Sequence, residues 1–211
     1  MIMINKIKGK LAGYTPQPLG IQKHFSVLLP LIELDGEWHV LYEKRSRSIS
    51  QPGETSFPGG TVEAGESYEA AALRETQEEL NIKRENISLI GEIDYIAAPS
   101  HIIRCFVGEL VNLTVESLQP NEEVEKVFTI PVTYFVENEP EFHPVNLRVE
   151  HADDFPFELI SNGNAHKWSM REQSIPFYRL SENFLWGYTA HLTHRFSEIL
   201  QDISVEDRKN D

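Results

Sequence analysis

The chain has 211 residues, 40% of them apolar and 25% charged, enough for one sizeable core and too ordinary a balance for wholesale disorder. A formal net charge of −14 argues against a nucleic-acid surface, which needs positive charge, but leaves room for a small anionic ligand met by local bases and metal ions. The single cysteine, Cys105, excludes an internal disulfide or a thiolate metal site, and no apolar run approaches a membrane span, so a reduced, cytoplasmic setting is expected.

Residues 1–22 carry Lys6, Lys8 and Lys10 among scattered Gly and Pro, and read as a lead-in, helical or extended, with too short an apolar block for a signal peptide. One domain is expected over 23–203, with a charged tail over 204–211. His24 to Leu34 is strand-like, Asp35-Gly36 signals a hairpin, and Glu37 to Glu43 is the return strand. Pro30 predicts an edge position or a bulge. Lys44 to Glu54 is a polar loop with Lys44, Arg45 and Arg47. In isolation that cluster is a solvated patch; directly before an acidic helix it is a source of positive charge for phosphate oxygens. The loop leads to Phe57-Pro58-Gly59-Gly60, whose glycines permit close backbone approach to a ligand.

The next stretch is GTVEAGESYEAAALRETQEELNI, Gly60 to Ile82. Ser67 as N-cap, the strong helix formers Ala70 to Leu73, and Asn81 as a left-handed terminator predict a helix from Ser67 to Leu80. At about 100° per residue Glu75, Glu78 and Glu79 share one face, while Leu73, Thr76 and Leu80 point toward a core. Like charges at this spacing cost about 0.2–0.5 kcal/mol per pair, and acids near a helix C-terminus oppose its dipole. Arg74 can neutralise one of them, Glu78 being at the favourable distance. The remainder make either a solvated acidic face or a site for a hard divalent cation such as Mg²⁺, held jointly by carboxylates and substrate phosphates.

Downstream, Ile87 to Ala98 and His101 to Leu110 read as paired strands joined by Pro99-Ser100, with Cys105 a buried structural thiol. Pro120 to Glu125 is an acidic turn before a strand from Lys126 to Ile130, closed by Pro131. In isolation Glu122 and Glu123 are surface charge. His101, His143, His151 and His166 lack metal-ligand spacing. Glu139 to Arg179, rich in aromatics, is expected to hold short strands, Ile175 to Leu180 among them. A last helix from Ser181 or Glu182 to Asp202 carries Leu185, Tyr188, Thr189, Leu192, Phe196, Ile199 and Leu200 at helical spacing.

Gly60, five residues, Glu66, seven residues, then Arg74-Glu75-x-x-Glu78-Glu79 resembles the Nudix box, the signature of hydrolases acting on nucleoside diphosphates linked to another group. Thr76 stands where that family usually has an aliphatic residue, and Asn81 where it usually has Gly. Upstream, Leu41, Arg45-Ser46, Gly53 and Phe57-Pro58-Gly59-Gly60 are similar to a motif of the coenzyme A diphosphatase branch. Ser50 replaces its usual second Arg, and the loop is one residue shorter between Arg45 and Gly53. Phe184 to Ala190 resembles that branch's Ile-Trp-Gly-x-Thr-Ala element.

The resemblance implies an α/β/α Nudix sandwich with a mixed β-sheet between helices, and hydrolysis of a pyrophosphate bond assisted by Mg²⁺ or Mn²⁺. Glu75, Glu78, Glu79 and the Gly60 carbonyl would hold metal, with Arg74 orienting the carboxylates and Glu66 supporting the loop. The proton acceptor would be Glu75, or Glu123 or Glu122 from the acidic turn. Arg45, Arg47, Gly53, Phe57 and Gly59 would meet the substrate, and Trp168, Phe177 or Trp186 could pack on its adenine or pantetheine arm. Coenzyme A or an acyl derivative is the leading substrate. ADP-ribose or a dinucleotide is the alternative, and a regulator without turnover is the reading from another class. The partners implied are a small nucleotide substrate, no nucleic acid and no membrane, and the sequence allows a homodimer.

Overall fold

The computed structural model describes residues 2–16, 18–169 and 171–202, and of Ile2 and Arg171 the backbone alone. The tail expected over 204–211 lies outside the described residues. After an N-terminal helix α1 (Ile2–Leu11), β1 (Lys23–Leu34) and β2 (Glu37–Arg45) form the expected hairpin. Asp35 and Gly36 both take positive φ, 51° and 85°, as a two-residue turn between twisted strands requires. Then come β3 (Thr55–Ser56), β4 (Gly59–Thr61), the acidic helix α2 (Tyr68–Leu80), β5 (Ile87–Glu92), β6 (Ile96–Ala98) and β7 (His101–Leu110). The chain continues through β8 (Val124–Pro131), α3 (Val132–Glu137), β9 (Glu141–Leu147), β10 (Arg171–Arg179), β11 (Phe184–Trp186) and α4 (Gly187–Leu200).

β1 lies in the middle of a mixed eight-stranded sheet, parallel to β7 on one side and antiparallel to β2 and β4 on the other. Pro30 is therefore neither at an edge nor in a bulge. β4 pairs with Phe25 to Val27 and β2 with Leu31 to Leu34, so Pro30 falls in the gap between two partners, where its missing N–H breaks no ladder. β9, β10 and β11 form a separate three-stranded sheet, order β11-β10-β9, which supplies the strands expected between Glu139 and Arg179.

Strand alternation divides the core into two layers. Leu28, Ile32, Leu41 and Phe106 pack with Ala72, Leu73 and Leu80 of α2. Their neighbours in sequence, Leu29, Val40, Tyr42, Cys105 and Val107, pack on the opposite face with Phe135 of α3 and with Ala190, Leu192 and Phe196 of α4. The architecture is an α/β/α sandwich. Cys105 is fully buried, and burial pushes its thiol well above the ordinary value, as suits a structural residue.

The last helix begins later than its periodicity predicts. Phe184-Leu185-Trp186 is a strand pairing with Phe177 to Arg179, and Gly187, at φ 64°, turns the chain into α4. Leu192 and Phe196 are buried as expected, and Leu185 is buried from the strand, whereas Tyr188, Ile199 and Leu200 are exposed.

Candidate active site

Local rules place α2 as the sequence predicts. Ser67 Oγ accepts the Ala70 N–H at 3.1 Å, and Asn81 ends the helix in the left-handed region at φ 52°. α2 packs against β1 and β4, which brings its acidic side up to the two glycines of β4. A Cβ on Gly59 would stand 2.4 Å from the Ser26 carbonyl oxygen, and one on Gly60 would stand 2.3 Å from Glu75 Oε1. Neither position tolerates a side chain without displacement, and at Gly60 the displaced group is a box carboxylate.

Arg74 organises the helix surface. Its Nε and Nη2 donate to the two oxygens of Glu66, at 2.9 and 3.1 Å, and Nη2 also donates to the Thr61 carbonyl at 3.1 Å. Nη1 lies 2.9 Å from Glu75 Oε1 and 3.4 Å from Glu78 Oε2. Glu66 in turn accepts the Glu63 N–H at 3.0 Å, and these bonds hold its carboxyl below the usual range.

The three box carboxylates sit in different surroundings. Glu78 is the most open, its side chain 56% exposed. Glu75 is partly buried and raised by desolvation, with Arg74 opposing. Glu79 is only 5% exposed; its Oε2 accepts the Gly59 N–H at 2.7 Å. Burial pushes it up to about 7, the Gly59 bond and Arg45 working against burial and Glu75 and Glu123 with it. The box acids thus split between the outer surface and the core, although helical spacing puts all three on one face.

A fourth carboxylate, not expected to take part, lies beside them. Glu43 on β2 is 2% exposed, and its Oε1 is buried without a hydrogen-bond partner. Burial raises its pKa well above the carboxylate range, and the charges acting on it are Glu79, Arg45 and Glu123. The signal for it is present in the sequence: Glu43 follows Leu41 by two, and Leu41 faces α2.

The acidic turn is tied to both sides of the site. Asn121 N donates to the Glu79 carbonyl at 2.9 Å, and Ser46 N donates to the Glu123 carbonyl at 2.8 Å. Glu123 is among the charges acting on Glu43, Glu75 and Glu79. The basic loop divides in two. Arg45 acts on Glu43 and Glu79, its Nε held by the Ser50 carbonyl at 3.0 Å. Lys44 pairs with Glu125 at 2.7 Å, and Arg47 acts on the same Glu125. Gly53, at φ 78°, closes the loop with its N–H on the Arg45 carbonyl at 2.9 Å.

Two expected substrate contacts take another form. Phe57 is 4% exposed and stacks on Tyr42 at 5.2 Å between ring centres, so its ring supports the loop from the core and offers no face to a ligand. Trp168 packs with His151, Phe155 and His166, and lines neither cleft beside the site. Trp186 does line one: a cleft of about 380 Å³ runs from Arg45 and Ser56 past Glu54 to Gln173, Tyr188 and His191. Trp186 Nε1 donates to Glu54 Oε2 at 2.7 Å, and its ring stacks on Phe177. A second hollow of about 480 Å³, between Asp94, Tyr95 and Arg195, shares Gln173, Tyr188 and His191 with the first.

Among the described residues no three His, Cys, Asp or Glu side chains form a ready-made cation cage. Glu75 and Glu78 are held by Arg74, and Glu79 by Gly59. The donor set still fits a hard divalent ion: it is all oxygen, it includes the orphaned Glu43 Oε1, and Glu75 packs directly against the Gly60 backbone. The four histidines make ring contacts instead. His101 meets Phe25 and Tyr188, His143 meets Phe177, and His151 and His166 meet Trp168.

Comparison with known proteins identifies the family. The chain is 39% identical to Nudix hydrolase 3 of Caenorhabditis elegans over 118 residues, covering 51% of this chain and 47% of that one. It is 33% identical to the peroxisomal coenzyme A diphosphatase NUDT7 of Mus musculus over 116 residues, covering 53% and 48%. The chain thus spans about half the length of both relatives. A crystal structure of a MutT/nudix family protein from Enterococcus faecalis, 15% identical, superposes with a TM-score of 0.53 over 98% of this chain and 72% of that one. The NUDIX domain itself matches residues 22–151, the segment that carries the box, the basic loop and the acidic turn, and on that match the chain belongs to the Nudix family.

Proposed function

We propose that the chain hydrolyses a pyrophosphate bond in a nucleoside diphosphate derivative with the help of Mg²⁺ or Mn²⁺, and that the substrate is coenzyme A or an acyl derivative, cleaved to 3′,5′-ADP and (acyl-)4′-phosphopantetheine. The observation that carries the reading is the full set of box carboxylates on α2, Glu75 against Gly60, Glu79 on the Gly59 N–H and Glu78 open beside Arg74, with Arg45 acting on Glu79. Glu75, Glu78, Glu79 and the Gly60 carbonyl would hold the cation, which when bound neutralises diphosphate oxygens and lowers the pKa of an attacking water. Arg74 fixes Glu75 and Glu78 through one nitrogen. Arg45 brings positive charge to the mouth of the cleft, where phosphate oxygens need it. Glu75 or Glu123 accepts the proton of the water, both lying within the same group of interacting charges.

Coenzyme A is favoured by the upstream loop, by the Phe184 to Ala190 element, and by the mouse relative's name. The cleft adds room of the right character, since Trp186 and Tyr188 offer aromatic surface and Gln173 and His191 offer hydrogen bonds. The test is kcat/KM for coenzyme A, dephospho-coenzyme A, ADP-ribose and a diadenosine polyphosphate, with each metal, for the wild type and Glu78→Gln. Coenzyme A is expected to lead. Dephospho-coenzyme A should trail by roughly tenfold to a hundredfold if a charged contact to the 3′-phosphate is lost, and E78Q should lose most metal-dependent turnover. A tenfold advantage for ADP-ribose removes the coenzyme A assignment and leaves the hydrolase; no turnover with either metal makes the chain a binding module.

A further inference from the structure

We propose that Glu43 is a further cation-holding carboxylate of this site, sharing a divalent ion with Glu79. The inference rests on the metal-assisted reading above and extends it to a residue outside the box helix. Glu43 occupies an interior position of β2, paired through its backbone with Ser56 of β3 and Val127 of β8, so its side chain cannot swing out to solvent without breaking the sheet. Its Oε1 is buried and unpartnered, and a buried carboxylate without a partner costs several kcal/mol.

The neighbouring charges relieve that cost only in part. Two of the three are acids, Glu79 and Glu123, and the one base, Arg45, has its Nε committed to the Ser50 carbonyl at 3.0 Å. A side chain needed only to fill space on this face would be apolar like Leu41, two residues earlier, which packs against α2. An acid placed among acids, with an oxygen left over, is what a hard cation needs: carboxylate oxygens that the protein's own donors have not claimed. Asn121, bonded to the Glu79 carbonyl, and the Glu123 carbonyl, bonded to Ser46, hold the surrounding backbone in place, so the ion would enter a prepared position.

The test is direct Mn²⁺ binding to the full chain, followed by the electron paramagnetic resonance signal of free Mn²⁺, for wild type, E43Q and E43T, beside thermal melts with and without Mn²⁺. E43Q should either lose one ion per chain or bind at least about tenfold more weakly. Without metal it should melt no lower than wild type, and it should gain less from added Mn²⁺. Equal stoichiometry and affinities within twofold for wild type and E43Q would overturn the proposal and leave the hydrolase reading intact; absence of Mn²⁺ binding by wild type would overturn both. E43T carries the same comparison should E43Q fold poorly.

Discussion

Replacing Glu79 by Gln should stabilise the metal-free protein at neutral pH, and the structure sets the size of the effect. Gln keeps an oxygen for the Gly59 N–H and removes only the charge. Burial moves the folded-state value to about 7 from the ordinary 4.5, so between these limits the folded chain holds a proton that the unfolded chain has given up. Stability contributed by protonated Glu79 is therefore fully present below about pH 4.5 and lost as pH rises through about 7. At 1.36 kcal/mol per pH unit the loss is about 3 kcal/mol, or roughly 6–12 °C in Tm for a chain of this length. The assay is thermal unfolding in a chelator from pH 4.5 to 8.5. E79Q should match wild type at the acid end and melt higher at pH 8, and excess Mn²⁺ should narrow the gap by stabilising wild type alone. An E79Q protein that melts at or below wild type at pH 8 would refute the account of Glu79 as a charge buried at a cost.

Two further substitutions probe the rest of the site. Gly60→Ala places a methyl 2.3 Å from Glu75 Oε1, and since that oxygen ends a flexible side chain the fold should survive while Glu75 is displaced; kcat should fall roughly a hundredfold with Tm little changed, and unaltered kcat would mean that Glu75 position is not critical. Arg45→Ala removes the base that acts on Glu43 and Glu79 at the cleft mouth; KM for coenzyme A should rise roughly tenfold to a hundredfold and more than kcat falls, while an unchanged KM would confine the guanidinium to bracing its own loop.

The box helix was legible because everything that defines it is local: a capping serine, a left-handed asparagine and a 3.6-residue period. Its acid excess was legible as electrostatic stress. How that stress is relieved was not, because the Gly59 N–H reaches Glu79 only after β4 docks, and Arg74, the helix's own base, is shared with Glu66 and the Thr61 carbonyl. Glu43 went unread for a related reason: strand alternation tells which residues share a face, but not that this face is capped by other acids. Helical spacing misled at Leu185, where a short strand continues the same apolar period and only the pairing with Tyr178 reveals it. Phe57 and Trp168 show the limit of reading aromatic residues near a motif as contacts, since each had neighbours in space that satisfy it first.

The parallel pairing of β1 with β7 has a consequence for how the protein folds. Parallel neighbours cannot be joined by a tight turn, so all of β2, β3, β4 and the box helix lie within the connection between them. The helix can nucleate early from its own caps, yet at that stage Glu79 has no Gly59 N–H and Arg74 is the base on the helix that faces its acids. Only contacts between residues far apart in sequence, β1 with β4 and β2 with β8, bring in the Gly59 N–H and Arg45, and they bring Glu43 and Glu123 with them. Closing such long loops before their contacts form is the slow part of folding. Assembly of the site is thus a late event, and folding to completion concentrates the acids around Glu79 rather than dispersing them.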